Sequence, residues 1–162
     1  MKQNRFLAAI EQGKTTEVLA SIISDGVDIN VTDRIGRTPL MIAASKDDID
    51  VMKFLLSHNV NVNEASKSSR ETALMITANN LNLDACKLLI QNGALINKVS
   101  ESKATALHMA VFATCEEFED DIAIIDLLVN SGAKFNSKDE DGKTCVDIAM
   151  EHERNDILGL FK

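Results

Sequence analysis

The sequence predicts an all-α fold made of repeated helix–turn–helix units. Three observations carry that prediction. A Thr-led segment recurs as Thr38-Pro39-Leu40-Met41-Ile42-Ala43-Ala44, Thr72-Ala73-Leu74-Met75-Ile76-Thr77-Ala78, Thr105-Ala106-Leu107-His108-Met109-Ala110-Val111 and Thr144-Cys145-Val146-Asp147-Ile148-Ala149-Met150, its Thr positions stepping by 34, 33 and 39 residues. A second ladder, Asp28-Ile29-Asn30, Val62-Asn63, Leu95-Ile96-Asn97 and Phe135-Asn136, steps by 33, 34 and 39 at its Asn positions. Between these landmarks, apolar residues fall at helical spacing and Gly or Asn ends most runs. Two landmarks drifting together mark one unit copied along the chain, with an insertion in the last full copy.

A period near 33 with a T-P-L-H-x-A-like opening resembles the ankyrin-repeat family. The resemblance covers nearly all 162 residues. It implies an all-α ankyrin-repeat solenoid, its helix–turn–helix units joined by short β-hairpin loops. The chain then forms a single domain of five units, approximately 4–30, 31–63, 64–97, 98–136 and 137–162. The first and last act as caps, each with one face turned to solvent.

The opening unit has no Thr-led motif. Phe6, Ala9 and Ile10 share one helical face and Gly13 ends that helix. A second helix from about Thr15 carries Val18, Leu19, Ile22 and Ile23, and Asp25-Gly26 supplies its left-handed stop. Asn30 to Gly36 then forms the first hairpin, with Asp33 and Gly36 suited to a tight turn. Thr38 caps the next helix and Pro39 takes its first position, where a missing N–H is harmless. Leu40, Ala43 and Ala44 face the stack, the alanines letting neighbouring inner helices approach closely. Its partner helix uses Ile49, Val51, Met52, Leu55 and Leu56, and Asn59 replaces the terminal Gly.

The hairpin Glu64–Glu71 is one residue longer and lacks Gly, which predicts a less rigid tip. Helices at Thr72–Asn79 and about Leu83–Gln91 follow. The fourth unit has the hairpin Lys98–Lys103 and keeps the motif histidine, His108. Thr114 to Asp121, about six residues longer than the matching turn after Ala78, reads as an inserted loop between inner and outer helices. The outer helix resumes with Ile124, Ile125, Leu127 and Leu128. The closing pair, Cys145 to Lys162, carries Glu151, His152, Glu153, Arg154 and Asp156 where a continuing repeat is apolar.

The chain is acidic, with net charge -8 and pI near 4.8, and lacks Trp and Tyr. Such a surface repels phosphate backbones and anionic membranes and offers no stacking platform, so nucleic-acid and membrane partners are disfavoured. No apolar run approaches the roughly 20 residues that cross a bilayer. Residues Met1 to Ile10 are too short an apolar stretch for a signal peptide, with polar residues following from Glu11. Three cysteines without CxxC spacing suggest a reducing, cytoplasmic setting. Cys86 stands where the other repeats have Met52 and Ile125, so it reads as a small core hydrophobe.

No constellation of catalytic groups emerges. His108 has the place of the family's motif histidine, whose implied role is a local bond to Thr105 and the neighbouring hairpin. His58 sits at a helix end, His152 on the polar cap, and no H-E-x-x-H occurs. Asp139-Glu140-Asp141-Gly142 lacks the spacing of a calcium loop. G-x-S-x-G, P-loop and G-x-G-x-x-G motifs are all absent. The prediction is therefore not an enzyme, with no cofactor and no metal. The Asn ladder reads as side-chain bonding that holds the hairpins.

What remains is surface. The resemblance implies a non-catalytic protein-binding module, monomeric, using hairpin tips and the open side of the inner helices. On this sequence the tip candidates are Arg34, Ile35, Arg37, Lys67, Arg70, Glu101, Lys103, Asp139 and Glu140. The inner-helix candidates are Ser45, Lys46, Asn79, Asn80, Phe112 and Ala113. Ile35 and Phe112 are apolar where polar residues are usual, as anchors are. Alternatively, Phe112 packs beneath the insertion with Phe118, which is itself a candidate contact. The tips change sign along the stack, positive early and negative late. An adaptor or effector fits this description, and so does an inhibitor or immunity protein that occludes one enzyme.

Overall fold

The computed structural model describes residues 2–116 and 122–161, and in it helix pairs follow one another along the chain. The first members are α1 (Lys2–Glu11), α3 (Pro39–Ser45), α5 (Ala73–Asn79), α7 (Ala106–Glu116) and α9 (Cys145–Glu151). The second are α2 (Thr16–Ser24), α4 (Ile49–Ser57), α6 (Leu83–Gln91), α8 (Ala123–Asn130) and α10 (Asn155–Leu158). First members pack on one another in chain order, as inner helices; α2, α4, α6 and α8 do the same outside them. The result is the all-α solenoid the repeats predict.

Each inner helix after α1 begins on the threonine of its motif. Thr38 Oγ1 accepts from Met41 N at 3.3 Å, Thr72 Oγ1 from Met75 N at 3.4 Å, and Thr105 Oγ1 from His108 N at 3.4 Å. Thr144 Oγ1 accepts from Asp147 N at 3.2 Å, and Thr144 N in turn donates to the Asp147 carboxylate at 2.8 Å. Each such cap satisfies a donor that the helix start would leave orphaned. Of the outer helices, α4 and α6 use Asp48 and Asn82, which accept from Val51 N and Ala85 N. Left-handed backbone stops the outer helices at Gly26, Gly93 and Gly132, and at Asn59 with φ 56, as its replacement of Gly requires.

The core is one continuous apolar column. Ala43, Thr77, Ala110 and Ala149 hold the same register in successive inner helices and are all sealed from solvent. Small side chains here set the spacing, because anything larger would push neighbouring helices apart. Thr77 carries the one polar group in that row, and it returns its hydroxyl to Leu74 O at 3.1 Å. Cys86 sits fully buried beside it, with Sγ 3.3 Å from Thr77 Oγ1, and burial pushes its thiol pKa up to about 11. Cys145, in the place of Pro39, is equally sealed and is pushed up to about 12 by burial. Neither thiol has the exposure or thiolate character of a nucleophile.

No residue among those described forms a strand, and the connecting hairpin loops are tight turns closed by backbone bonds, Asp33 N to Arg37 O, Ser66 N to Glu71 O, Ser100 N to Ala104 O and Asp139 N to Lys143 O, each with a second bond inside it. Two expectations are corrected. The Gly-poor second turn is braced rather than loose. Ser66 and Ser69 hydroxyls meet at 2.9 Å, Ser69 donates to Glu71 at 2.8 Å, and Arg70 adopts the left-handed conformation that Gly36 has in the first turn. Lastly, the start of the insertion is helix. α7 continues through Thr114, Cys115 and Glu116, where α3 and α5 end after seven residues. Thr114 and Cys115 are buried, and Arg154 Nη1 donates to Thr114 O at 3.0 Å, so the last unit holds the end of the extended helix. Residues 117–121, including Phe118, lie outside the described residues.

Candidate protein-binding surface

The loop tips form a stitched row. Lys67 N and Ser68 N donate to Ile35 O at 3.1 and 3.2 Å. Glu101 N donates to Ser69 O at 2.7 Å, and Glu140 N to Ser102 O at 2.9 Å. Each turn thus rests its amide on a carbonyl of the turn before. At the first junction a Cβ on Gly36 would lie 2.5 Å from Lys67 N, so only glycine fits there. Because backbone sets these positions, the exposed tip side chains project from a fixed frame.

Deeper links run between units. Asn63 Nδ2 donates to Gly93 O at 3.0 Å and its Oδ1 accepts from Leu95 N at 2.7 Å. Asn97 repeats the pattern one unit on, with Gly132 O at 2.9 Å and Lys134 N at 2.8 Å. Asn63 and Asn97 therefore tie their units to the next rather than bracing their own turns, while the Asn30 and Asn136 side chains make no bond to a described residue. His108 does the same: Nδ1 lies 2.9 Å from Thr105 Oγ1 and Nε2 lies 3.1 Å from Ser137 O. Nε2–H donates to that carbonyl in the only tautomer that suits both contacts, so neither ring nitrogen is left for catalysis. His58 is bonded to Phe54 O and its ring lies 4.4 Å from the Phe54 ring, while His152 is exposed at the end of α9. Among the described residues, no three His, Cys, Asp or Glu side chains are grouped to hold a metal ion. Among the described residues, no helix is long and apolar enough to cross a membrane.

The sequence-predicted contacts separate into free and engaged groups. Arg34, Lys67, Arg70, Lys103 and Glu140 are exposed at the tips, and Glu101 with them. Arg37 is half-buried and spent on Asp33 at 2.7 Å and Glu11 at 3.4 Å. Burial raises the Asp33 pKa, but the Arg37 side chain, two backbone N–H bonds and the Arg37 charge outweigh it and hold the carboxyl below its usual range. Asp139 does the equivalent work in the last turn, accepting from Asp141 N at 3.0 Å and Lys143 N at 2.9 Å. On the inner helices, Ser45, Lys46, Asn79 and Asn80 are exposed, and Asn80 also reaches back to Asp47 at 3.3 Å. Ala113 is buried.

Ser45, Asn79, Phe112 and Glu151 occupy one register, seven residues past each motif threonine, and all four are exposed. Phe112 is 51% exposed and Ile35 48%, so both apolar candidates stand open to solvent. Beside Phe112 lies a cleft of about 300 Å³ between the last two turns and helices α7 and α9. Ala104, Met109, Phe112 and Ile148 line it, together with Glu140 and Asp141. Met109, Ile148 and Asp141 were not among the sequence candidates, because three separate elements bring them together. Exposed Leu95, Val99, Val18 and Met150 were also missed. Met150 is 59% exposed in the register where Ala44, Ala78 and Val111 are sealed by a following helix.

Comparison with known proteins fits this architecture. Residues 6–100 and 64–139 match the family described as ankyrin repeats (3 copies). The chain is similar to the mitochondrial disaggregase of Bos taurus, 29% identical over 159 residues, covering 97% of this chain and 22% of that protein. It is similar to an ankyrin repeat protein of fowlpox virus, FPV031, 29% identical over 167 residues, covering 99% of this chain and 48% of that protein. It is similar also to the E3 ubiquitin-protein ligase hecd-1 of Caenorhabditis elegans, 30% identical over 152 residues, covering 94% of this chain and 4% of that protein. The chain spans less than half the length of each of these relatives. The stacked helix pairs, the stitched tips, the threonine caps and the family match agree, and the chain belongs to the ankyrin-repeat family.

Proposed function

We propose that this chain is a non-catalytic module that binds a partner protein across the loop tips and the open side of the inner helices. Ankyrin repeats generally mediate protein–protein contacts, and the tips and inner-helix register form the exposed surface that such contacts need. The observation that carries the reading is the pair Ile35 and Phe112. Two large apolar side chains stand half-exposed, Ile35 in the first turn and Phe112 on α7, on a face whose tips also carry the exposed polar residues Arg34, Lys67, Arg70 and Glu140. Isolated apolar anchors in a polar surround are the usual energetic centres of protein interfaces. Relatives that are named as enzymes share only a part of their length with this chain, so their activities belong to those whole proteins.

The test is affinity capture from the source lysate with wild type beside the triple variant Arg34→Glu, Ile35→Asp, Phe112→Asp. All three side chains are exposed, so the variant should keep the wild-type circular dichroism. A partner held by wild type and lost from the folded variant is the expected result. Equal capture by both would move the interface away from this face. Assaying a captured enzyme with and without the chain then separates an adaptor from an inhibitor.

A further inference from the structure

The cleft beside Phe112 has a chemistry of its own. Ala104, Met109, Phe112 and Ile148 give it an apolar lining, and Glu140 and Asp141 line it with exposed carboxylate side chains beside Ser102 and Asp139. No lysine or arginine lines it. Lys143, close enough to feel Asp139 and Asp141, is already paired with Glu151 at 2.6 Å, and that bond raises its pKa. Neither Glu140 nor Asp141 is ion-paired to a described residue, while the Asp139 carboxylate is spent on two backbone amides. His108 borders the cleft with both ring nitrogens occupied, so it adds neither a donor nor an acceptor. A half-exposed aromatic ring next to two unpaired carboxylates is complementary to one kind of side chain. Arginine has an alkyl stem for the apolar lining, a flat cation that stacks on a ring, and a fork that carboxylates accept.

We infer that this cleft receives an arginine side chain from an extended segment of the partner protein, its guanidinium lying over Phe112 and facing Glu140 and Asp141. The inference rests on the binding-module reading and narrows it to a site and a chemistry. It also gives the late, acidic end of the tip row a distinct part. The Glu140 backbone is held there by its own amide on Ser102 O, which keeps the residue at the mouth of the cleft.

The probe is a five-residue peptide, acetyl-Gly-Ala-Arg-Ala-Gly-amide, titrated into the labelled full chain and followed by amide chemical shifts. Its control replaces arginine by citrulline, which keeps the shape and loses the charge. We expect shifts concentrated at Met109, Phe112 and Glu140–Asp141, with citrulline binding at least about fivefold more weakly. Phe112→Ala should abolish those shifts. The double variant Glu140→Gln, Asp141→Asn should weaken binding about fivefold and remove most of its salt dependence. The inference is overturned by equal binding of citrulline, by shifts spread evenly along the acidic surface, by an unaffected double variant, or by no shift at millimolar peptide. The two readings fail separately. A captured partner lost from the Arg34, Ile35, Phe112 triple variant but kept by the Glu140→Gln, Asp141→Asn pair would sustain the module and sink the arginine site.

Discussion

At the scale of single residues, backbone conformation decides which substitutions the fold tolerates. Gly36 and Gly142 hold the same place in the first and last turns, with φ of 81 and 77. An added Cβ at Gly36 would meet Lys67 N and Cγ at 2.5 Å, whereas at Gly142 nothing lies within 4 Å. Gly142→Ala should therefore cost only the left-handed penalty of about 1 kcal/mol, and Gly36→Ala more than about 2 kcal/mol, as urea unfolding of the two would show. Asp33 makes a complementary case in pH. Its carboxyl titrates lower in the folded chain than in the unfolded one, so its bonds stabilise fully above the ordinary aspartate range. That contribution fades as pH falls through the depressed folded value. Asp33→Asn should lose about 1 kcal/mol at pH 7, and the gap in urea midpoint should close by pH 2. Much at this scale was legible. Thr38, Thr72, Thr105 and Thr144 announce caps by type and place, because capping is local chemistry. The left-handed Arg70 and Lys103 were not, since nothing in an arginine or lysine signals positive φ, and the stacked turns on either side impose it.

At the scale of elements, the Asn ladder divides into working and idle rungs. Asn97 makes two bonds into the following unit, while Asn136 makes no side-chain bond to a described residue. Asn97→Ala should cost about 1–2 kcal/mol and Asn136→Ala less than about 0.5 kcal/mol. Equal losses on chemical denaturation would refute the inter-unit role. The helices themselves were easy to place, since α6 spans Leu83–Gln91, as its apolar spacing predicts. The extension of α7 was not. Thr114, Cys115 and Glu116 show no apolar period, and part of what holds them is Arg154, 40 residues away, which the sequence showed only as one charge on a polar cap. Elements fixed by their own pattern are readable from it; those fixed by a distant partner are not.

For the whole molecule, the units are copies but the surface is not. The early tips offer Arg34, Lys67 and Arg70, and the late ones Glu140 and Asp141. Repetition made the fold legible, because it tests one pattern several times over. The candidate cleft stayed hidden for the opposite reason: it exists at one junction, from residues of α7, α9 and the last two turns. The stitching of the tips also gives the array a sense. Ser68, Glu101 and Glu140 each donate backward to the preceding turn, so at the leading end the amide of Arg34 has no partner among the described residues. The row works like a zip, closed at every tooth but the first. Arg34 and Glu140 hold the same turn position, one that suits proline. Proline at 34 should therefore leave stability within about 0.5 kcal/mol, whereas proline at 140 opens the last tooth and should cost about 1–2 kcal/mol. Thermal melts of the two variants would read the direction of the zip from solution alone.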